Sequence, residues 1–166
     1  MPRGAQETQL KTLLKIVGSI IIVLLVVLGI LRFTGLNPHE RIPGLWLSGS
    51  VVTAPVTDWS FTDQVFTLHI QTNTAYLLPH SVTTYCATLN GHLYVGSSNP
   101  PVRHWNKEAL ADPNARLGIG DKIYDVRLVP VTDPAESDAL LVNRRKKYPK
   151  YKQPAGTTFI LFRVEQ

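Results

Sequence analysis

The sequence has few cysteines and few charged residues for its length. One cysteine among 166 residues excludes an intramolecular disulfide and any zinc site built from paired cysteines. Charged residues make up only 17% of the chain, and it contains no Gly-x-Ser-x-Gly, no His-Glu-x-x-His and no Walker loop. Hydrolase, zinc-enzyme and nucleotide-triphosphatase functions therefore lack a motif. The five histidines are scattered without ligand spacing, so we predict no metal site.

A long apolar run lies near the N-terminus. No residue from Ile16 to Leu31 is charged, and Lys15 and Arg32 bracket the run. The run is about 24 Å long as a helix, a little short of the roughly 30 Å hydrocarbon core, and the two flanking side chains can snorkel. We predict a basic tail over residues 1–15 and a single-pass transmembrane anchor over 16–32, with membrane lipid as its partner.

Two alternatives to the anchor are a cleaved signal peptide and a buried core helix. No small-x-small cleavage site follows the run closely, which favours an uncleaved anchor. Three basic residues precede the run, and two, Arg32 and Arg41, follow it closely. The positive-inside rule therefore favours a cytoplasmic N-terminus by a narrow margin. The soluble domain would then face away from the cytoplasm.

The rest of the chain has the pattern of one β-rich domain. Twelve prolines and eleven glycines indicate many short elements joined by turns. We predict a linker over 33–43 and a domain over 44–166 with Cys86 buried as a small hydrophobe. Periodicity and turn residues predict strands at 45–52, 65–71, 81–89, 92–95, 115–119, 122–129 and 157–164, and helices at 102–110 and 134–146.

Hairpin turns dominate this order of elements. Asn90-Gly91 is the strongest hairpin signal in the chain, and Gly120-Asp121 is a second one. Asp112-Pro113 ends the first short helix, while Asp133-Pro134 opens the second. Strands joined by hairpins, with inserted helices, favour an antiparallel closed or split β-barrel over a doubly wound sheet. The predicted fold class is mainly β with short helices (α+β), preceded by one transmembrane helix.

Several of these residues occur in an order that resembles a known family. The chain is similar to the split β-barrel flavoproteins, which include the pyridoxamine-phosphate-oxidase-like proteins, and most of all to the deazaflavin-dependent nitroreductase group. The residues that carry this resemblance are Pro79-His80-Ser81, Asn90-Gly91, Ser97-Ser98, Trp105, Ala111-Asp112-Pro113 and Tyr148-Pro149-Lys150-Tyr151. The resemblance implies a flavin- or deazaflavin-dependent oxidoreductase of nitroreductase type, working as a homodimer with the cofactor at the shared face.

The resemblance also implies where a cofactor would bind, but it names neither a catalytic residue nor a substrate. The predicted cofactor-binding residues are His80, Ser81, Thr83, Ser97, Ser98, Arg103, Trp105 and Lys107. Their hydroxyl groups supply hydrogen bonds, and Arg103 and Lys107 supply positive charge for a phosphate. The group usually carries a glycine and a basic residue before its proline strand, and residues 72–78 here have neither. A cofactor-free binding or accessory module is therefore the alternative function.

Each feature of this site also has a purely structural interpretation. His80 is typical of a turn, the two serines are good loop residues, and Trp105 is typical of a core anchor. Residues 144–152 hold six positive charges, which indicate either contact with an anionic lipid or phosphate or a solvated helix end. Nucleic acid is disfavoured as a partner, because residues 33–166 carry 13 basic and 11 acidic residues and no binding motif.

Overall fold

A computed structural model of the chain describes residues 3–99, 102–151 and 156–166. The chain divides into two compact units, Met1–Gly35 and Leu36–Gln166. The first unit is the helix α1, Arg3–Thr34. Within the described residues, one helical stretch, Gln9–Thr34, is long and apolar enough to cross a membrane, with a mean hydropathy of 2.9 and no buried residue in its apolar window.

The described residues of the second unit form seven strands, two helices and one 3₁₀ turn. The helices are α2, His104–Ala111, and α3, Pro134–Lys147, and the 3₁₀ turn is Ser60–Gln64. The strands are β1 Ser50–Val52, β2 Thr67–Thr72, β3 His80–Leu89, β4 His92–Asn99, β5 Asn114–Ile119, β6 Lys122–Pro130 and β7 Thr158–Glu165. The predicted order of four strands, helix, two strands, helix and strand is confirmed.

Six of the strands close into an antiparallel barrel. Their order is β6-β5-β2-β3-β4-β7, and β7 pairs back with β6 to complete the ring, while β1 adds to β6 in parallel. Apolar side chains fill the interior, because alternate residues of each strand point inward. Cys86, 1% exposed, lies in this core as predicted, together with Leu68, Ile70, Leu93, Val95, Leu117, Leu128 and Phe162.

The turn residues adopt the conformations that their types favour. Asn90 and Gly91 both have positive φ angles, 52° and 79°, which is the conformation of a two-residue hairpin turn. Gly120, at φ 61°, forms the second hairpin. The Asp133 carboxylate accepts a hydrogen bond from the backbone N–H of Ala135 at 3.0 Å and caps α3. Both predicted hairpins and the predicted cap are confirmed.

The strand predicted over 45–52 is wrong for most of its length. Only Ser50–Val52 is a strand, because the preceding backbone groups bond elsewhere. The N–H of Leu47 donates to the Gln71 side-chain oxygen, and the N–H of Ser48 donates to the Asn37 side-chain oxygen, each at 2.8 Å. We call residues 36–48 the strap, because this irregular segment pairs with the edge of β3 at Gly44 and reaches the Gln71 side chain of β2 at Leu47.

Candidate functional site

The barrel wall opens between β3 and β4. Their pairing runs from Leu89–His92 to Tyr85–Gly96, although both strands continue further. Beyond that point β3 remains paired with β2, and β4 remains paired with β7. Helix α2 follows β4 and packs against β2 and β3. The polar side chains that it meets form what we call the α2 site: Thr72, His80, Ser97, Asn106 and Glu108.

A histidine and a carboxylate are paired in the α2 site. His80 Nδ1 lies 3.0 Å from Glu108 Oε2, and the Thr72 hydroxyl donates to the same oxygen at 2.6 Å. The side chains of His80 and Glu108 are 19% and 15% exposed, so the pair is mostly but not fully buried. Hydrogen bonds between charged or polar groups are stronger in such a partly dry environment. Glu108 therefore fixes one ring nitrogen of His80 and leaves Nε2 for other chemistry.

Asn106 is a buried polar residue of α2 with an unused donor. Its side-chain oxygen accepts a hydrogen bond from the Ser97 hydroxyl at 2.7 Å, and the residue is 0% exposed. Its amide nitrogen has no hydrogen-bond partner within the described part of the chain. An unpaired buried amide costs about 1–3 kcal/mol, so such a group in a folded protein calls for a partner such as water or a ligand.

Positive charge lies along one side of α2. Arg103 directly precedes the helix and Lys107 lies four residues later, so both exposed cations are on the same side. The N-terminal end of a helix also carries a partial positive charge. An anion such as a phosphate would be stabilised there. Ser98, half-buried, follows Ser97 on β4 and points to the opposite side of the strand.

Four of the predicted cofactor-binding residues lie away from the α2 site: Ser81, Thr83, Ser98 and Trp105. Ser81 and Thr83 are on the outer face of β3, where Ser81 is 0% exposed beneath the strap. Their hydroxyl oxygens are buried without a hydrogen-bond partner among the described residues. Trp105 is 3% exposed and its ring centroid lies 5.7 Å from that of Phe162, in the barrel core. Trp105 thus anchors α2 to the barrel.

Sequence reasoning included His80 and Ser97 but missed Thr72, Asn106 and Glu108. The contacts of Glu108 with His80 and Thr72 join residues that are 28 and 36 positions apart. Nothing in the local sequence distinguishes this glutamate from a solvent-facing charge on a short helix. Across residues 3–99, 102–151 and 156–166, no group of three histidine, cysteine or acidic side chains is arranged to hold a metal ion.

A surface groove lies apart from the α2 site. It has a volume of about 520 Å³ and is lined by polar residues that include Arg116, Asp125, Arg127 and Glu165. The Arg116 Nε is paired with the Asp125 carboxylate at 2.7 Å, so part of its charge is already neutralised. The groove offers mixed charges and few apolar walls, which makes it a weaker ligand site than the α2 site.

No protein-family profile matches the sequence, and no curated protein is a detectable relative. Solved structures do resemble the chain. A conserved hypothetical protein, Rv2991 of Mycobacterium tuberculosis, superposes with a TM-score of 0.52 at 12% identity, over 69% of this chain and 83% of that one.

Two further structures resemble the chain less closely. A Listeria innocua protein provisionally assigned as a pyridoxamine 5'-phosphate oxidase has a TM-score of 0.48 at 13% identity, over 64% of this chain and 90% of its own. A FAD-binding protein of Mesorhizobium loti has a TM-score of 0.43 at 18% identity, over 60% of this chain and 77% of its own. At 12% identity the likeness to the Mycobacterium tuberculosis protein shows the fold alone, and the fold of this chain is a closed six-stranded antiparallel β-barrel.

Proposed function

We propose that this chain is a membrane-anchored split-barrel protein that binds a flavin or deazaflavin at the α2 site and acts as an oxidoreductase of nitroreductase type. The observation that carries the proposal is the unpartnered amide of Asn106 beside an accessible histidine and two exposed cations. Flavins and deazaflavins supply hydride transfer, while the protein supplies binding, orientation and exclusion of water.

The side chains around α2 match the donor set that such a cofactor needs. Arg103 and Lys107 would hold a phosphate. The amide of Asn106 would donate to a ring oxygen or to a water that the cofactor shares. Trp105 would contribute by fixing α2 in place. Ser81 and Thr83 would serve only after the strap has moved.

Cofactor binding can be measured on the full chain purified in detergent. We expect a visible absorbance band that coelutes with the protein, or saturable binding of added flavin mononucleotide, flavin adenine dinucleotide or deazaflavin. Replacing Arg103 and Lys107 together by alanine is expected to weaken binding at least tenfold, because each cation–phosphate hydrogen bond contributes about 1.5–3 kcal/mol. The double variant Arg145→Ala/Lys146→Ala, which removes two exposed cations from α3, is the matched control. No binding of any of the three cofactors contradicts the proposal.

A cofactor-free accessory module is the second candidate function. Ser81 is sealed beneath the strap, and the polar side chains of the segment before β3 are bonded within the protein. The Thr72 hydroxyl donates to Glu108, the Asn73 amide to Asp112, and the Thr74 hydroxyl to the backbone oxygen of Leu78. The side-chain donors of these three residues are therefore already used and are not free to bind a phosphate. Absence of saturable cofactor binding in the unmodified chain supports this second function.

The anchor part of the proposal is supported by the length and exposure of α1. The stretch Gln9–Thr34 has 26 residues and would extend about 39 Å as a helix, enough to cross the roughly 30 Å hydrocarbon core. A cleaved signal sequence would have the same composition as this helix. The intact mass of the mature protein in the membrane fraction distinguishes the two. We expect the mass of a chain that retains residues 1–34.

We propose that the barrel faces away from the cytoplasm. A C-terminal alkaline phosphatase fusion should then be active and a C-terminal green fluorescent protein fusion dark. The opposite result reverses the orientation and favours cofactor loading in the cytoplasm. A homodimer is the expected assembly, and light scattering of the detergent complex measures it.

A further inference from the structure

We infer that His80 and Glu108 form an acid–base pair in which Glu108 holds the Nδ1–H of His80, so that Nε2 exchanges a proton with a substrate bound at the α2 site. The inference rests on the proposed function, which supplies the reductant. It adds to that function a proton donor, His80, and a positioning residue, Glu108.

Rigid elements hold both partners of the pair. His80 is the first residue of β3, and it is paired across the sheet with Thr72 of β2. Glu108 lies on α2, which is fixed to the barrel by the buried residues Trp105 and Ala109. Thr72 donates at 2.6 Å to the same Glu108 oxygen that lies 3.0 Å from His80 Nδ1. The carboxylate therefore has little freedom to turn away from the imidazole.

The surroundings of His80 leave Glu108 as the group that decides its tautomer. The other titratable side chain in contact is His104, whose ring centroid lies 6.4 Å away with the rings nearly perpendicular. From β2 the neighbouring polar group is Thr72, which does not titrate near neutral pH. A carboxylate accepts hydrogen bonds and cannot donate them, so it selects the imidazole form that carries a proton on Nδ1.

The pair would complete a two-electron reduction. When bound at the α2 site, the flavin or deazaflavin would supply a hydride to one atom of an unsaturated acceptor, such as a nitrogen–oxygen double bond. With its Nδ1–H held on Glu108, His80 would take up a proton from water at Nε2 and pass it to the other atom as the π bond breaks. The imidazole that remains is neutral, keeps its Nδ1–H on Glu108 and regains a proton from water. Positioned proton transfer of this kind contributes about 10²–10⁴-fold to rate.

The tautomer of His80 can be measured independently of any activity. Long-range proton–nitrogen correlation spectra of the full chain in detergent micelles report the protonated nitrogen of each histidine, and His80→Gln identifies the signal of residue 80. We expect the Nδ1–H form in the unmodified chain. Glu108→Ala should shift His80 toward the Nε2–H form, which free histidine prefers. An Nε2–H form in the unmodified chain, or a spectrum that Glu108→Ala leaves unchanged, overturns the inference.

Glu136→Ala is the matched control for Glu108→Ala. Glu136 also accepts a hydroxyl hydrogen bond, from Tyr94 at 2.6 Å, and pairs with a cation, Arg163 at 3.0 Å, but it lies on α3. Its loss should cost similar stability and leave the His80 signal unchanged. Thermal unfolding of both variants checks that they fold, and Glu108→Gln, which keeps the side-chain shape, replaces Glu108→Ala if that variant unfolds.

A kinetic measurement separates the failure of this inference from the failure of the proposed function. At saturating cofactor, His80→Gln should lower kcat for a nitro acceptor at least 100-fold. Absence of cofactor binding in the unmodified chain overturns the proposed function and the reductive role of His80 with it. Cofactor binding together with an unchanged kcat in His80→Gln overturns the inference alone.

Discussion

Gly44 of the strap and Ser81 of β3 form an antiparallel β-bridge on the edge of β3 that β4 leaves free. Each donates its backbone N–H to the carbonyl oxygen of the other, at 2.8 Å from Gly44 and 3.1 Å from Ser81. A Cβ atom on residue 44 would lie 2.6 Å from Ser81 Oγ and 2.1 Å from the backbone oxygen of Leu36. Only glycine fits at this position. The strap therefore contacts β3 at a residue where any side chain would clash.

Gly44→Ala should destabilise the barrel. The added methyl group meets backbone atoms that cannot move aside without releasing the strap, so we expect a loss of about 2 kcal/mol in the free energy of unfolding. All three tryptophans, at 46, 59 and 105, lie in the barrel unit, so denaturant unfolding followed by tryptophan emission measures it.

Gly120→Ala is the control for this substitution. A Cβ atom there meets nothing within 4 Å, and the variant bears only the strain of a positive φ of 61°, about 1–2 kcal/mol. Stability of Gly44→Ala equal to that of the unmodified chain would show that the strap is not fastened at this contact.

Local chemistry explains which elements could be predicted from the sequence. Asn90-Gly91 and Gly120-Asp121 determine turns through the conformations that their own residues favour, so the hairpins follow from neighbours in the chain. In the same way, alternating apolar residues predict that β2 and β3 are strands with one buried face. The predicted barrel rests on such local signals, and it is confirmed.

The parts that could not be predicted depend on distant partners. The strap has an apolar alternation like that of a strand, yet the N–H of Leu47 bonds to Gln71, which is 24 positions away. Glu108 belongs to the α2 site only because closure of the barrel brings Thr72 and His80 to α2. The cofactor-binding set was inferred from a resemblance in residue order, and the structure distributes that set over β3, β4 and α2, with His80 and Ser81 on opposite faces of β3.

Tyr148→Phe should destabilise the junction between α3 and the barrel. The Tyr148 hydroxyl accepts a hydrogen bond from the N–H of Cys86 and lies 2.7 Å from the carbonyl oxygens of Phe66 and Cys86, donating to one of them at a time. Its removal leaves buried backbone groups unpaired, so we expect a loss of about 1–3 kcal/mol in unfolding free energy. Tyr151→Phe is the control, because Tyr151 is 54% exposed, and it should change stability little.

The basic run at the end of α3 is divided between buried and exposed cations. Arg144 is 7% exposed, and its guanidinium carbon lies 4.8 Å from the ring centroid of Phe159 and 5.6 Å from that of Tyr85. Lys147 donates to the backbone oxygen of Thr62 at 2.9 Å. These two cations are structural, whereas Arg145 is exposed to solvent.

Arg144→Ala should therefore destabilise the barrel by about 2–3 kcal/mol, through lost packing and lost cation–π contacts. Arg144→Lys should fall between the alanine variant and the unmodified chain, because it keeps the charge but not the planar contact with the rings. Arg145→Ala is expected to stay within about 0.5 kcal/mol. Equal effects of Arg144→Ala and Arg145→Ala in denaturant unfolding would mean that the whole run is solvated.

Stability should fall at alkaline pH because of buried tyrosines. Burial, together with the neighbouring Glu136 carboxylate, raises the pKa of Tyr94 to about 12 from its ordinary value of 10. Burial also raises the pKa values of Tyr148 and Tyr124. The folded chain thus binds these protons more tightly than the unfolded chain does. The corresponding stability is fully present below about pH 10 and is lost as pH rises through 12.

The Tyr94→Phe variant isolates one of these contributions. It loses the hydrogen bond to Glu136 at neutral pH, about 1 kcal/mol, but has no phenol to ionise, so its unfolding free energy should decline less steeply between pH 10 and 12. Tyr76→Phe is the control, because Tyr76 is 65% exposed, and it should decline in parallel with the unmodified chain. Parallel curves for Tyr94→Phe and the unmodified chain would show that Tyr94 ionises equally well in the folded and unfolded states.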